Sequence, residues 1–195
     1  MVIEPIVNDG RINRSKTTLN KIVAATISLL RKNNNGQIPT AQEIAVKSGV
    51  GIRTVFRHID DMEGLIEEVN RRYISDLENY ILKNNPKQNY KEHRIEHVIK
   101  ERFYLYNAYQ HVFNLTITSL NNSNAIRTGF IKFNNILRQR FEDLIPEVKK
   151  VNKEKQNIID TLISYSAWFR MTKFNNTQEE KFIEELKSLF LIELK

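Results

Sequence analysis

Arg53 and Arg57 stand four residues apart in the run Ile52-Arg53-Thr54-Val55-Phe56-Arg57-His58-Ile59. At about 100° per residue, both guanidinium groups fall on one side of a helix. A guanidinium is a planar fork of donors that binds phosphate or reads a guanine edge in pairs. Thr54 adds a hydroxyl, and a methyl that suits a thymine methyl. Val55, Ile59 and Ile52 are expected to share the opposite, core-facing side. Thr54 and Phe56 then flank the arginines, and His58 lies nearer the apolar side. An apolar back with a basic, hydroxyl-bearing front is the make-up of a helix that enters a DNA major groove. The same make-up also fits a helical hairpin in an ordinary bundle.

The neighbouring residues supply the elements such a helix needs. Thr40 can cap a short preceding helix while Glu43 reaches back to its amide, a capping box. Ile44 is expected in the core, and Ala45 is small where two helices cross. Gly49 supplies the backbone angles of a tight turn. Val50 is expected to face the core again. Upstream, Leu19, Ile22, Val23, Thr26, Ile27 and Leu30 step by three and four, which predicts an amphipathic helix ending at Asn33-Asn34-Asn35-Gly36.

Charge is concentrated in the same segment. From Arg11 to Ile59 nine basic residues face a single acid, Glu43, a net +8 in a chain whose total is +7. Residues 60–195 hold 21 basic and 20 acidic residues and are nearly neutral. A local excess of this size is an electrostatic footprint for a polyanion, although a solvated basic surface has the same composition.

The remaining chain keeps the helical period, and no strand-like alternation persists. A helix is predicted from Asp60 to about Leu82, with Asp60 and Glu63 as a capping box. Asn84-Asn85-Pro86 breaks the pattern. Ile95, Val98, Ile99, Arg102, Phe103, Tyr106, Tyr109 and Phe113 trace one long face. Asn121 to Asn124 reads as a turn. A helix carrying Ile126, Phe130, Phe133, Leu137, Phe141 and Leu144 follows, ending near Pro146. Ile158, Ile159, Leu162, Tyr165, Ser166 and Phe169 mark the next helix. Thr177 and Glu180 suggest another capping box before a last helix bearing Phe182, Ile183, Leu186, Leu189 and Phe190. The expected fold is all-α with roughly nine helices. A disordered arm is expected at 1–10, a small basic domain at 11–60 and a larger helical domain at 61–195.

The run TAQEIAVKSGV, followed by GIRTVFRHI and then DDMEGL, resembles the tetracycline-repressor (TetR) family. The resemblance is close over residues 15 to 75. Beyond them it rests on length, helical pattern and the arrangement Tyr165-Ser166-Ala167-Trp168-Phe169-Arg170. It implies an N-terminal three-helix helix-turn-helix domain that binds DNA. It also implies a variable C-terminal domain that dimerises and binds a small effector. Carried over residue by residue, the DNA-contacting set is Thr40, Arg53, Thr54, Phe56, Arg57 and His58. Phe56 stands where the family often has Tyr, and Met62 where it often has Lys, so a hydroxyl and a charge are missing. Arg14, Lys16 and Lys47 join the set as backbone contacts from charge and position. The implied partners are a palindromic double-stranded operator and a second copy of the chain, paired through the last two helices.

Other chemistry finds little support. The chain has no cysteine, so disulfides and thiolate catalysis are excluded. His93 and His97 share a helix face with Glu96 and Glu101 nearby, but no diagnostic metal spacing accompanies them, and a solvated charged face is the simpler reading. His111 reads as a core or wall residue. No Gly-rich phosphate loop or nucleophile–base grouping is present, so neither an enzyme nor a cofactor is expected. No run approaches the ~20 apolar residues of a membrane span, and the N-terminus lacks a signal-peptide layout. A cytoplasmic protein that does not enter membranes is expected. Phe103, Tyr106, Tyr109, Phe113, Phe130, Phe133 and Tyr165 combine aromatic bulk with hydroxyls, which suits either a small organic effector or a plain core. A repressor released by such an effector is the expectation. A helical ligand-binding or interaction protein with a vestigial DNA-binding head is the alternative.

Overall fold

The computed structural model describes residues 10–33, 36–59, 61–87 and 89–195. The expected arm lies outside the described residues except for Gly10, as do Asn34, Asn35 and Asp60. The described residues form ten α-helices and no strand, so the protein is all-α. The helices are α1 (Gly10–Asn33), α2 (Ala41–Ser48), α3 (Ile52–His58), α4 (Met62–Lys83), α5 (Lys91–Ala108), α6 (Gln110–Ser119), α7 (Asn124–Leu144), α8 (Lys153–Leu162), α9 (Tyr165–Phe169) and α10 (Glu179–Glu193). A 3-10 turn covers Pro146–Lys150 and a π turn covers Arg170–Phe174.

Two compact units divide the chain. One runs up to Tyr73 and takes in Asn114–Gly129; the other comprises Ile74–Phe113 and Phe130–Lys195. In the first unit, α1, α2 and α3 pack on one another. Ile22, Val23, Ala25 and Leu30 of α1 are buried with Ile44 and Ala45 of α2 and Val55 of α3. Thr26 is buried too, and its hydroxyl donates to the Ile22 carbonyl at 2.9 Å, so that hydroxyl is not stranded. Glu63 accepts the Ala125 amide at 2.8 Å, and Asn70 donates to the Ala125 carbonyl at 2.8 Å. The start of α7 is thereby fixed to α4.

The second unit is built on α5, which packs against α9 and α10. Its core holds Ile95, Val98, Ile99, Phe103 and Tyr106 of α5 together with Leu137, Phe141, Trp168, Leu186 and Phe190.

Four details depart from the sequence-based expectation. The helix after α3 is capped by Asp61, whose carboxylate accepts the Gly64 amide at 2.7 Å, and Glu63 accepts the Ala125 amide; the expected cap Asp60 lies outside the described residues. The long face from Ile95 to Phe113 breaks at Tyr109, which ends α5 by donating its amide to the Leu105 carbonyl. The helix expected through Ile158 and Phe169 breaks at Ile163. There Ser164 caps α9 by accepting the Ala167 amide, while Tyr106 and Arg102 donate to the freed Ile163 carbonyl. Thr177 and Glu180 form no capping box. The Thr177 amide donates back to Met171 across the π turn, α10 starts at Glu179, and Gln178 takes the cap position without a side-chain bond.

The α2–α3 turn is the most local piece of the fold. Gly49 ends α2 at φ 67°, in the left-handed region, where a Cβ is strained. A Cβ there meets nothing within 4 Å, so only backbone strain opposes a side chain. Gly49→Ala is expected to lower stability by about 1 kcal/mol, and Gly49→Asn by less, since Asn tolerates this region. Denaturant titration of both variants checks the order; an Asn variant no better than Ala would contradict it.

Candidate nucleic-acid interface

The positioning of α3 begins with α2. Thr40 accepts the Glu43 amide at 3.3 Å, and Glu43 accepts the Thr40 amide at 2.7 Å and its hydroxyl at 2.8 Å. The predicted capping box is therefore formed in full. These bonds, the backbone one foremost, hold the Glu43 carboxyl below the usual carboxylate range. They also engage the Thr40 hydroxyl locally. The one carboxylate of the basic segment is thus tied to the start of α2.

At the far end of α2, Gly49 turns the chain. The Gly51 carbonyl then accepts the Thr54 and Val55 amides at 2.8 and 3.0 Å, opening α3. Val55, fully buried, anchors this short helix, with Ile59 just beyond it at 4% exposure. Burying a side chain like Val55 stabilises by roughly 1.5 to 3 kcal/mol, which exceeds what so short a helix gains from propensity alone.

With that anchor in place, Ile52, Arg53, Phe56 and Arg57 are exposed, and Thr54 and His58 are half-buried. Ile52 differs from expectation. It does not join Val55 and Ile59 in the core but is 38% exposed, beside Phe56 at 58%. Val50 is half-buried. Lys47 on α2 and Arg14 and Lys16 on α1 are exposed. The exposed face of α3 thus carries two cations and two apolar side chains. Such a surface can bind phosphate, donate to base edges and contact methyl groups.

The seven aromatic residues expected around an effector all lie in the second unit. Phe103, Tyr106, Phe113, Phe133 and Tyr165 are core, with Tyr109 and Phe130 packed against them. Their rings fill one another's neighbourhood. Phe113 stacks on Tyr165 with centroids 4.0 Å apart, and Tyr106 meets both edge-on at 5.4 and 5.6 Å. The Tyr106 hydroxyl donates to the Ile163 carbonyl at 2.7 Å. Burial pushes the Tyr106 phenol up and that of Tyr165 to about 12, so both stay neutral near pH 7.

Two buried polar groupings in this unit carry more than the sequence signalled. Arg102, 4% exposed, donates to the Leu137 carbonyl at 3.0 Å and to Asp160 at 2.8 Å. Its position on the apolar stripe between Ile99 and Phe103 was the available sign. Glu101, 3% exposed, accepts from Arg140 at 3.1 Å and from Asn84 at 2.9 Å. His97 lies with Nε2 3.0 Å from the Asn84 carbonyl, and His93 packs against Tyr90. Among the described residues no three His, Cys, Asp or Glu side chains group closely enough to hold a metal ion. His111 is buried.

An apolar groove of about 660 Å³ opens along α8, α9 and α10, walled by Leu162, Met171, Phe182, Leu186 and Leu189. Exposed Ile158, Phe174 and Ile192 lie on the same elements or the π turn between them. No described helix is long and apolar enough to cross a membrane. Neither a protein-family model nor a curated protein matches the chain.

Proposed function

We propose that the protein is a sequence-specific DNA-binding transcriptional regulator of the tetracycline-repressor type, acting as a homodimer in the cytoplasm. One observation carries this reading. A short helix anchored by fully buried Val55 presents Arg53 and Arg57 to solvent, inside a segment of net +8. In this reading α2 and α3 are the helix-turn-helix, and α3 enters the major groove with Arg53, Thr54 and Arg57 toward base edges. Lys47, Arg14 and Lys16 contact phosphates. Thr40 supports the interface through the α2 cap.

Fluorescence anisotropy with mixed duplexes at two salt concentrations tests the reading. Binding should weaken steeply with salt, with a log–log slope of about −0.9 per phosphate contact. Salt-independent binding, or none, would remove the electrostatic basis of the proposal.

The dimer is supported by the groove along α8 to α10 and by its exposed apolar neighbours. Two-fold pairing of this face would cover Ile158, Leu189 and Ile192 at once. Two copies of α3 would then meet two half-sites of a palindromic operator. Leu189 is 39% exposed, so Leu189→Glu should leave the protomer folded while placing a charge in the interface. Sedimentation at micromolar concentration should give twice the chain mass for the parent and the single chain mass for Leu189→Glu. A monomeric parent would refute the dimer. The ring-on-ring packing around Tyr106 forms part of the core of this unit.

A further inference from the structure

We infer that α3 reads thymine methyl groups through an apolar row, Ile52 and Phe56, set beside the basic row of Arg53 and Arg57. The inference rests on the DNA-binding reading and specifies the class of operator it selects.

Ile52 and Phe56 are four residues apart, so they lie about 40° from each other around the helix. Arg53 and Arg57 form a second pair, turned about 100° from the first. The core below is already filled by Val55 and Ile59, so the exposed pair is not needed to hold α3 in place. A phenylalanine ring has no atom that hydrogen-bonds a phosphate or a base edge. Its gain from a bound duplex must come from apolar contact. In the major groove the apolar group is the thymine C5-methyl, and Phe is among the side chains that contact it. Ile52, at the N-terminal end of α3, occupies the part of a recognition helix that approaches bases most closely. The basic row beside it suits the O6 and N7 acceptors of guanine. The two rows together match a half-site that places thymines next to guanine.

The test uses the full-length protein and the best duplex recovered from a random pool. Every thymine of the half-site is then replaced by uracil, which removes only the methyl group. Base pairing and phosphates are unchanged. Burial of one methyl-sized group predicts about a fourfold loss of affinity per contacted thymine. In Phe56→Ala the thymine and uracil duplexes should bind with closer affinities than in the parent, and circular dichroism should be unchanged because the ring is exposed. If the parent prefers its duplex but binds the uracil form equally well, methyl readout is overturned while DNA binding stands. If Phe56→Ala keeps the full thymine preference, the row is not the reader and the inference fails. If the parent prefers no duplex at all, the DNA-binding reading falls and this inference falls with it.

Discussion

Arg102→Ala should destabilise the protein by about 3 kcal/mol. Arg102 is 4% exposed and donates to the carbonyls of Leu137 and Ile163 and to Asp160. Removing one partner of a buried charged pair costs roughly 3 to 5 kcal/mol. Asp160 keeps a 28% exposed side chain and can regain water, which places the expectation at the lower end. The Leu137 carbonyl loses a donor, and the Ile163 carbonyl retains Tyr106. Arg102 also carries its own cost, because its buried Nε has no hydrogen-bond partner. An apolar replacement of similar length removes that cost and fills the space beside Phe141, over which the guanidinium lies at 5.7 Å. Arg102→Met should therefore lose clearly less than Arg102→Ala. Urea titration distinguishes the outcomes. Equal losses for Ala and Met would mean that the charge and its bonds, not the filled volume, decide stability. A loss under 1 kcal/mol for Ala would mean that the bonds of Arg102 to Leu137, Ile163 and Asp160 add little to stability.

The second large effect concerns DNA. Arg53→Ala and Arg57→Ala should each weaken binding to the preferred duplex by roughly 1 to 3 kcal/mol, with the specificity relaxed at the base each arginine reads. Lys47→Ala should instead weaken all duplexes evenly and reduce the salt slope by about one phosphate contact. All three side chains are exposed, so melting temperatures should not move. Anisotropy titrations against preferred and scrambled duplexes separate the two patterns. An even loss in all three variants would assign the arginines to phosphate and leave base reading to other residues.

How legible each feature was depended on how local its cause is. Thr40 and Glu43 are three residues apart, Gly49 needs only its own backbone angles, and Val55 follows the helical period. The α2–α3 unit could therefore be read almost whole. Ile52 could not, because its place at the first turn of α3 leaves it beside solvent although the period points it inward. Features fixed by distant residues were invisible. The Glu63 carboxylate accepts the amide of Ala125, sixty-two positions away, a bond that no local spacing signals. The continuous periodicity through Ile163 concealed a break whose carbonyl is satisfied by Tyr106 and Arg102, about sixty positions away. Gly129 gave no local sign, but a Cβ there would clash with the Asn70 side-chain amide, a close approach that only the fold creates. The aromatic set was read from residue type alone as either an effector wall or a plain core. Which rings meet is decided by packing, as in Phe113 on Tyr165 at 4.0 Å, and no spacing along the chain signals that pair.

The proposed function rests on sequence choice by α3. The most direct measurement is selection from a random duplex library by the purified chain at moderate salt, run in parallel with the Arg53→Ala/Arg57→Ala double variant. The parent should converge on an inverted repeat, and the double variant should lose that convergence. A parent that enriches no sequence, or a double variant that enriches the same one, would contradict sequence choice by α3.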